Sequence, residues 1–150
     1  MAGVAFNHVG HCVTDLPRSR RFYEEVLGFE VEREITPPDD ASAKLLGLTP
    51  PLGMTACYLR RDGLVLELLH YADKATVARP ARVMNEPGLT HLSVSVDDIA
   101  DTCRRVREHG GEVLESTDIG VGIFVRDPDG QLIELLPMSY RESLDASSPG

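Results

Sequence analysis

The chain of 150 residues reads as an α+β fold of two βαβββ modules, each a curled mixed sheet with a helix on one face. Three observations predict this. First, "HVGHCVTDLPRSRRFYEEVLGFEV", starting at His8, is repeated in outline by "HLSVSVDDIADTCRRVREHGGEV", starting at His91; Asp15 falls on Asp98, Leu16 on Ile99 and Gly28 on Gly111. Self-similarity at this scale marks a repeated supersecondary unit. Second, each copy is followed by two apolar runs around an Asp-Gly pair, "MTACYLRRDGLVLELLHY" and "GIFVRDPDGQLIELLP". Asp-Gly between apolar runs is the strongest short-range hairpin signal. Third, both hairpins end on a strand with a carboxylate inside an apolar run, Glu67 in the first and Glu134 in the second.

The elements follow in order. Each copy opens on a short strand, turns at an aspartate, and continues as an amphipathic helix. Asp15 and Asp98 are N-cap residues in this reading, because a carboxylate accepts from the free N–H groups of a first helical turn. Gly28 and Gly110–Gly111 supply the helix stops. Extra chain in the first copy is placed in "ITPPDDASAKLLGLTPPLG", a Pro- and Gly-rich loop over 35–53 of the kind that forms a lid or wall. The first module spans about 6–71 and the second 89–137. A linker occupies 72–88, and 138–150 is expected as a flexible tail.

Composition narrows the class of partner. Apolar content of 42% and charged content of 26% are ordinary for a globular protein. A formal net charge of −9 argues against nucleic acid or an anionic membrane, which need a basic face. Three cysteines, Cys12, Cys57 and Cys103, show no C-x-x-C spacing and are expected as reduced thiols of a cytoplasmic protein. The N-terminus lacks the pattern of a signal peptide, and no apolar run reaches the roughly 20 residues of a membrane span.

Strand side chains alternate faces, so the faces can be assigned. His8, Gly10 and Cys12 share one face of the first strand, against Val9, His11 and Val13. His91, Ser93 and Ser95 share one face of its counterpart, against Leu92, Val94 and Val96. Glu67 goes with Val65 and Leu69, and Glu134 with Leu132 and Leu136. The consistently apolar faces should pack on the helices, leaving the His and Glu faces to line a cavity. Two imidazoles and two carboxylates there suit a divalent transition metal, which would also offset the cost of carboxylates in an apolar site.

The remaining candidates have plainer roles. His11 and His70 lie on the other strand faces, and His109 sits at a helix C-terminus, where an imidazole is favoured. Phe22 and Tyr23 are expected between helix and sheet. Asp127 and Asp129 are turn residues. Arg60, Arg61 and Arg126 are hairpin surface charge, and "RSRR" at 18–21 is a solvated helix face.

In this order, "HVGHCVTDLPRSRRFYEEVLGFEV", "ELLHY", "THLSVSVDDI" and "FVRDPDGQLIELLP" resemble the vicinal oxygen chelate superfamily. That group includes glyoxalase I, methylmalonyl-CoA epimerase, extradiol dioxygenases, and fosfomycin and bleomycin resistance proteins. The resemblance covers nearly the whole chain except the tail. It implies paired βαβββ modules around a metal-containing cavity, with one divalent ion (Ni, Co, Zn, Mn or Fe) held by His8, Glu67, His91 and Glu134. A His-Glu-His-Glu set resembles bacterial glyoxalase I. The implied chemistry is proton transfer next to a carbonyl through an enediolate that the metal stabilises, with Glu134 and Glu67 as the catalytic carboxylates and Cys12, Ser93, Ser95, Leu69 and Leu136 lining a small-molecule pocket. A homodimer is implied as well.

Two departures bear on specificity. Glyoxalase I typically carries an arginine in its first strand, where this chain has Cys12. An epimerase would carry an acidic second base in the region here reading "LTPPLGMTAC", which contains no carboxylate. The alternatives are a methylmalonyl-CoA epimerase-like isomerase, an Fe(II) extradiol-type dioxygenase, and a non-catalytic antibiotic-binding protein.

Overall fold

The computed structural model describes residues 3–147. The chain forms two compact units, the first running to Arg79 and the second beginning at Pro80. Each contains one four-stranded mixed sheet, so the fold is α+β, as the repeat predicts.

In the first unit the order is β1 (Val9–Cys12), α1 (Leu16–Glu25), β2 (Glu30–Ile35), α2 (Asp39–Leu46), β3 (Met54–Arg61) and β4 (Leu64–Tyr71). The sheet order is β1-β4-β3-β2. β1 runs parallel to β4, and the other pairs are antiparallel. A first strand joined to its parallel neighbour through a helix and a hairpin is the geometry a crossover connection requires. Asp15 caps α1, its carboxylate accepting from the Arg18 N–H at 2.9 Å. Asp62 and Gly63 both have positive φ, 47° and 80°, which is the two-residue hairpin turn that matches strand twist.

The core of this unit lies between α1 and one face of the sheet. Val13, Phe22, Tyr23, Cys57, Leu59, Leu66 and Leu68 are all inaccessible or nearly so. Phe22, Tyr23 and Phe29 meet edge to face, the geometry that aromatic quadrupoles favour. His11 joins them through an edge contact to Tyr23.

The 35–53 segment is more structured than its Pro and Gly content predicts. It carries α2, with Pro38 at the N-cap and Gly47 in the left-handed conformation at the C-cap. The Asp39 carboxylate accepts from the backbone N–H groups of Leu52 and Gly53, which ties the helix start to the turn preceding β3. Ala43, Leu52 and Met54 form a small apolar cluster beneath it. Gly53 has φ +57°, and a Cβ there would lie 2.5 Å from an Asp73 carboxylate oxygen, so a side chain would strain the backbone and push the Asp73 carboxylate aside.

The second unit repeats the plan in β5 (Leu92–Val96), α3 (Ile99–Glu108), β6 (Glu112–Val113), β7 (Ile123–Arg126) and β8 (Leu132–Pro137). The sheet order is β5-β8-β7-β6, with β5 parallel to β8. Asp98 caps α3 by accepting from the Asp101 N–H at 2.9 Å. Cys103, Val106, Ile123, Val125, Ile133 and Leu135 form the core. The hairpin turn is longer than the first: Asp127 is buried, and its carboxylate accepts from the N–H groups of Asp129 and Gln131.

The tail expectation needs correction, because Met138–Ala146 forms a helix, α4. None of its residues is buried. Residues 148–150 lie outside the described residues. Among the described residues, no helix is long and apolar enough to cross a membrane.

Candidate functional site

Strand register decides which side chains meet. In the first unit Gly10 pairs with Glu67, and Cys12 with Leu69; Tyr58 pairs with Glu67, and Ala56 with Leu69; Arg33 pairs with Tyr58. Directly paired residues project from the same side of a sheet. The face turned away from α1 therefore carries a lateral row, Arg33–Tyr58–Glu67–Gly10, with His8 at the entrance to β1.

Glu67 is 9% exposed, so its carboxylate requires partners. It has one for each oxygen. The Tyr58 hydroxyl donates to Oε1 at 2.7 Å, and His8 Nε2 lies 2.9 Å from Oε2. The His8 Nδ1 lies 2.5 Å from Asn7 Oδ1, which turns Nε2 toward the carboxylate. His8 also meets Tyr58 edge to face, with centroids 5.6 Å apart. The Arg33 guanidinium stacks 4.5 Å from the Tyr58 ring centroid, a cation–π contact. Burial pushes the Tyr58 phenol above its ordinary pKa, and the hydrogen bond to Glu67 and its charge add to this, with Arg33 opposing.

The second unit builds a similar group. Ser93 pairs with Glu134, and Ser95 with Leu136; Phe124 pairs with Glu134. His91 Nε2 lies 3.7 Å from Glu134 Oε2, and the Ser93 hydroxyl donates to the same oxygen at 2.6 Å. His91 Nδ1 lies 2.7 Å from the Thr90 hydroxyl. Its ring meets Phe124 edge to face at 5.1 Å.

Both units thus present one imidazole Nε2 beside one carboxylate Oε2, with the other ring nitrogen engaged by the preceding residue. Metal-binding histidines are oriented in this way, the second nitrogen holding the ring while the first faces the ion. The nitrogen and oxygen donors of each pair suit Zn or a similar divalent ion. Among the described residues, no group of three or more His, Cys, Asp or Glu gathers as a single metal-holding cluster. The expected ligands occur as two pairs, His8 with Glu67 and His91 with Glu134.

The residues expected to line a pocket fall on the same faces as these pairs. Cys12 is exposed and is in register with Leu69. Leu69 packs on Ala56, Tyr58 and Val65. Leu136 lies over Gly122, with its Cδ2 3.0 Å from where a Cβ would stand. Ser93 holds Glu134, and Ser95 lies one pleat further along. His11 packs on α1, His70 of β4 pairs with Thr55 of β3, and His109 caps α3, with Nδ1 2.9 Å from the Arg105 carbonyl oxygen.

Sequence reasoning missed Asn7, Arg33, Tyr58, Thr90 and Phe124. For Tyr58 a signal exists. Counting outward from a two-residue turn at Asp62–Gly63 sets Tyr58 opposite Glu67, as the register shows.

The comparisons with known proteins agree with this architecture. The family model described as Glyoxalase/Bleomycin resistance protein/Dioxygenase superfamily matches residues 5–135. The chain is similar to the lactoylglutathione lyase of Salmonella typhimurium, 32% identical over 130 residues that cover 83% of this chain and 85% of that one. It is also similar in structure to the trypanothione-dependent glyoxalase I of Leishmania major, with a TM-score of 0.67 and 27% identity over 93% of this chain and 91% of the other. A glyoxalase family protein from Bacillus cereus shares the fold at a TM-score of 0.73 and 20% identity, over 91% of this chain and 97% of that one.

Proposed function

We propose a function from one premise, that this chain belongs to the Glyoxalase/Bleomycin resistance protein/Dioxygenase superfamily: it is a divalent-metal-dependent, glyoxalase-like lyase that moves a proton next to a carbonyl. The substrate is a 2-oxoaldehyde–thiol adduct and the product a 2-hydroxyacyl thioester. The observation that carries this reading is the His–Glu pair on the equivalent face of each sheet, with Nε2 facing Oε2 in both. Relatives named lactoylglutathione lyase support the reaction class.

In this reading His8, Glu67, His91 and Glu134 hold the ion. When bound, it supplies Lewis acidity toward a carbonyl oxygen. The chain's own residues do the rest. Ser93 holds Glu134 by Oε2, which leaves Oε1 to take the proton from the substrate carbon and return it to the neighbouring carbon. A well-placed base of this kind contributes about 10²–10⁴-fold. Asn7 and Thr90 keep the two imidazoles turned toward their carboxylates. Leu69 and Leu136 supply apolar walls that exclude water from the reacting carbons. The chain acts in this reading on a small molecule, as a cytoplasmic homodimer.

The test is turnover by protein stripped of metal and then given Ni, Co, Zn or Mn. The expected result is thioester formation from a hemithioacetal of methylglyoxal, with no epimerisation of an acyl-CoA. Epimerisation without thioester formation, or no gain with any of the metals, would overturn the proposal.

A further inference from the structure

The two glutamates are each held by one hydroxyl, but from opposite sides. Glu67 is held from β3, by Tyr58. The residue in that place beside Glu134 is Phe124, which has no hydroxyl. Glu134 is held from β5, by Ser93. The residue in that place beside Glu67 is Gly10, which has no side chain. Each unit therefore lacks the donor the other uses and supplies one where the other has none. The ring at the β3 or β7 position keeps its edge contact with the histidine in both units. Ring packing alone thus does not explain the Tyr58 hydroxyl.

The two donors also leave the carboxylates in different states. Glu67 is engaged at Oε1 by Tyr58 and at Oε2 by His8. Glu134 receives both of its contacts on Oε2.

We propose that Tyr58 is a positioning residue for Glu67: its hydroxyl fixes the carboxylate by Oε1 so that Oε2 faces the His8 side, and a hydroxyl at position 10 can fix the same carboxylate by Oε2, as Ser93 fixes Glu134. The inference rests on the metal-ligand reading above and assigns a role to a residue outside the ligand set. The space for the exchange is present, because a Cβ built on Gly10 lies 3.7 Å from Glu67 Oε2 and 3.8 Å from Leu69 Cδ1. These are ordinary contacts, and a serine hydroxyl there reaches the carboxylate.

The experiment measures Zn and Ni affinity by chelator competition, with a thermal unfolding midpoint taken on each metal-free variant. Tyr58→Phe is expected to weaken metal binding by about 10-fold or more, in the range for losing an outer-shell partner, while the chain stays folded. Adding Gly10→Ser to that variant is expected to restore most of the affinity. A purely structural role for the phenol would not be repaired by a hydroxyl on another strand. Wild-type affinity in Tyr58→Phe, or a loss that Gly10→Ser leaves unrepaired, overturns the proposal. If Tyr58→Phe does not fold, the mirror pair decides: Ser93→Gly should weaken binding, and Phe124→Tyr should restore it. A wild-type protein that binds neither metal removes the function reading itself, and this inference with it.

Discussion

His8 Nε2 lies 2.9 Å from Glu67 Oε2, across the seam where β1 runs parallel to β4. The pair joins a residue that enters the first strand to one in the last strand of the same module. Its counterpart, His91 and Glu134, is wider at 3.7 Å and takes a serine hydroxyl on the shared oxygen. Equivalent positions carry the same chemistry while their supporting partners differ.

The two carboxylates should respond differently to the same substitution. Glu134→Gln keeps size and removes the proposed base, so kcat should fall about 10²–10⁴-fold in protein saturated with metal. Glu67→Gln should act first on metal affinity, because both of its oxygens are engaged by neighbouring groups. Steady-state rates at rising metal concentration separate the two effects.

Asp39 is expected to hold the arm that contains α2. Its carboxylate accepts from the Leu52 and Gly53 N–H groups at 3.0–3.1 Å. Hydrogen bonds to a charged group contribute roughly 1.5–3 kcal/mol, so Asp39→Ala should lower stability by about that much. Hydrogen exchange at Leu52 and Gly53 should quicken in the variant. Unchanged protection would show that the Ala43–Leu52–Met54 cluster suffices.

Core truncation should cost more than surface truncation in both units. Leu68 and Leu135 are fully buried between sheet and helix, and replacing either by alanine should cost about 2–5 kcal/mol. Leu144 on α4 is 67% exposed, and its replacement should stay within roughly 0.5 kcal/mol. Urea unfolding of the three variants checks the ranking.

The thiols should label in a set order. Burial pushes Cys57 and Cys103 above the ordinary thiol pKa, which lowers their thiolate fraction at neutral pH and so their reactivity. Cys12 is exposed. A maleimide should therefore modify Cys12 first in the folded protein and reach the other two after denaturation. Cys12 shares a strand face with His8, so bound substrate analogue should slow its labelling.

The repeat made much of this fold legible before any coordinates. The Asp caps, the Asp-Gly turns and the strand alternation that sets His8 against His11 are local signals, and the structure follows them. The parts that were not legible share a physical cause. Proline and glycine around 35–53 read as loop markers, yet Pro38 and Gly47 flank α2 as its N-cap and its left-handed C-cap. α4 buries no residue, and its polar, charge-rich sequence "MSYRESLDA" reads as a tail. Tyr58 could have been counted from the first turn. Phe124 could not, because Asp127 widens the second turn, and a shift of one residue moves every side chain to the other face. Asn7 and Thr90 act on the histidine next to them, a contact that no periodicity reveals.

The central proposal is that His8, Glu67, His91 and Glu134 are ligands of a divalent ion. Equilibrium dialysis of the metal-free protein with Zn or Ni, beside His8→Ala and His91→Ala, measures this most directly. The account predicts uptake of the ion by the wild type, and a loss of affinity in both variants larger than the roughly 10–100-fold cost of an outer-shell change. No uptake in the wild type, or an affinity that survives either histidine substitution, would contradict it.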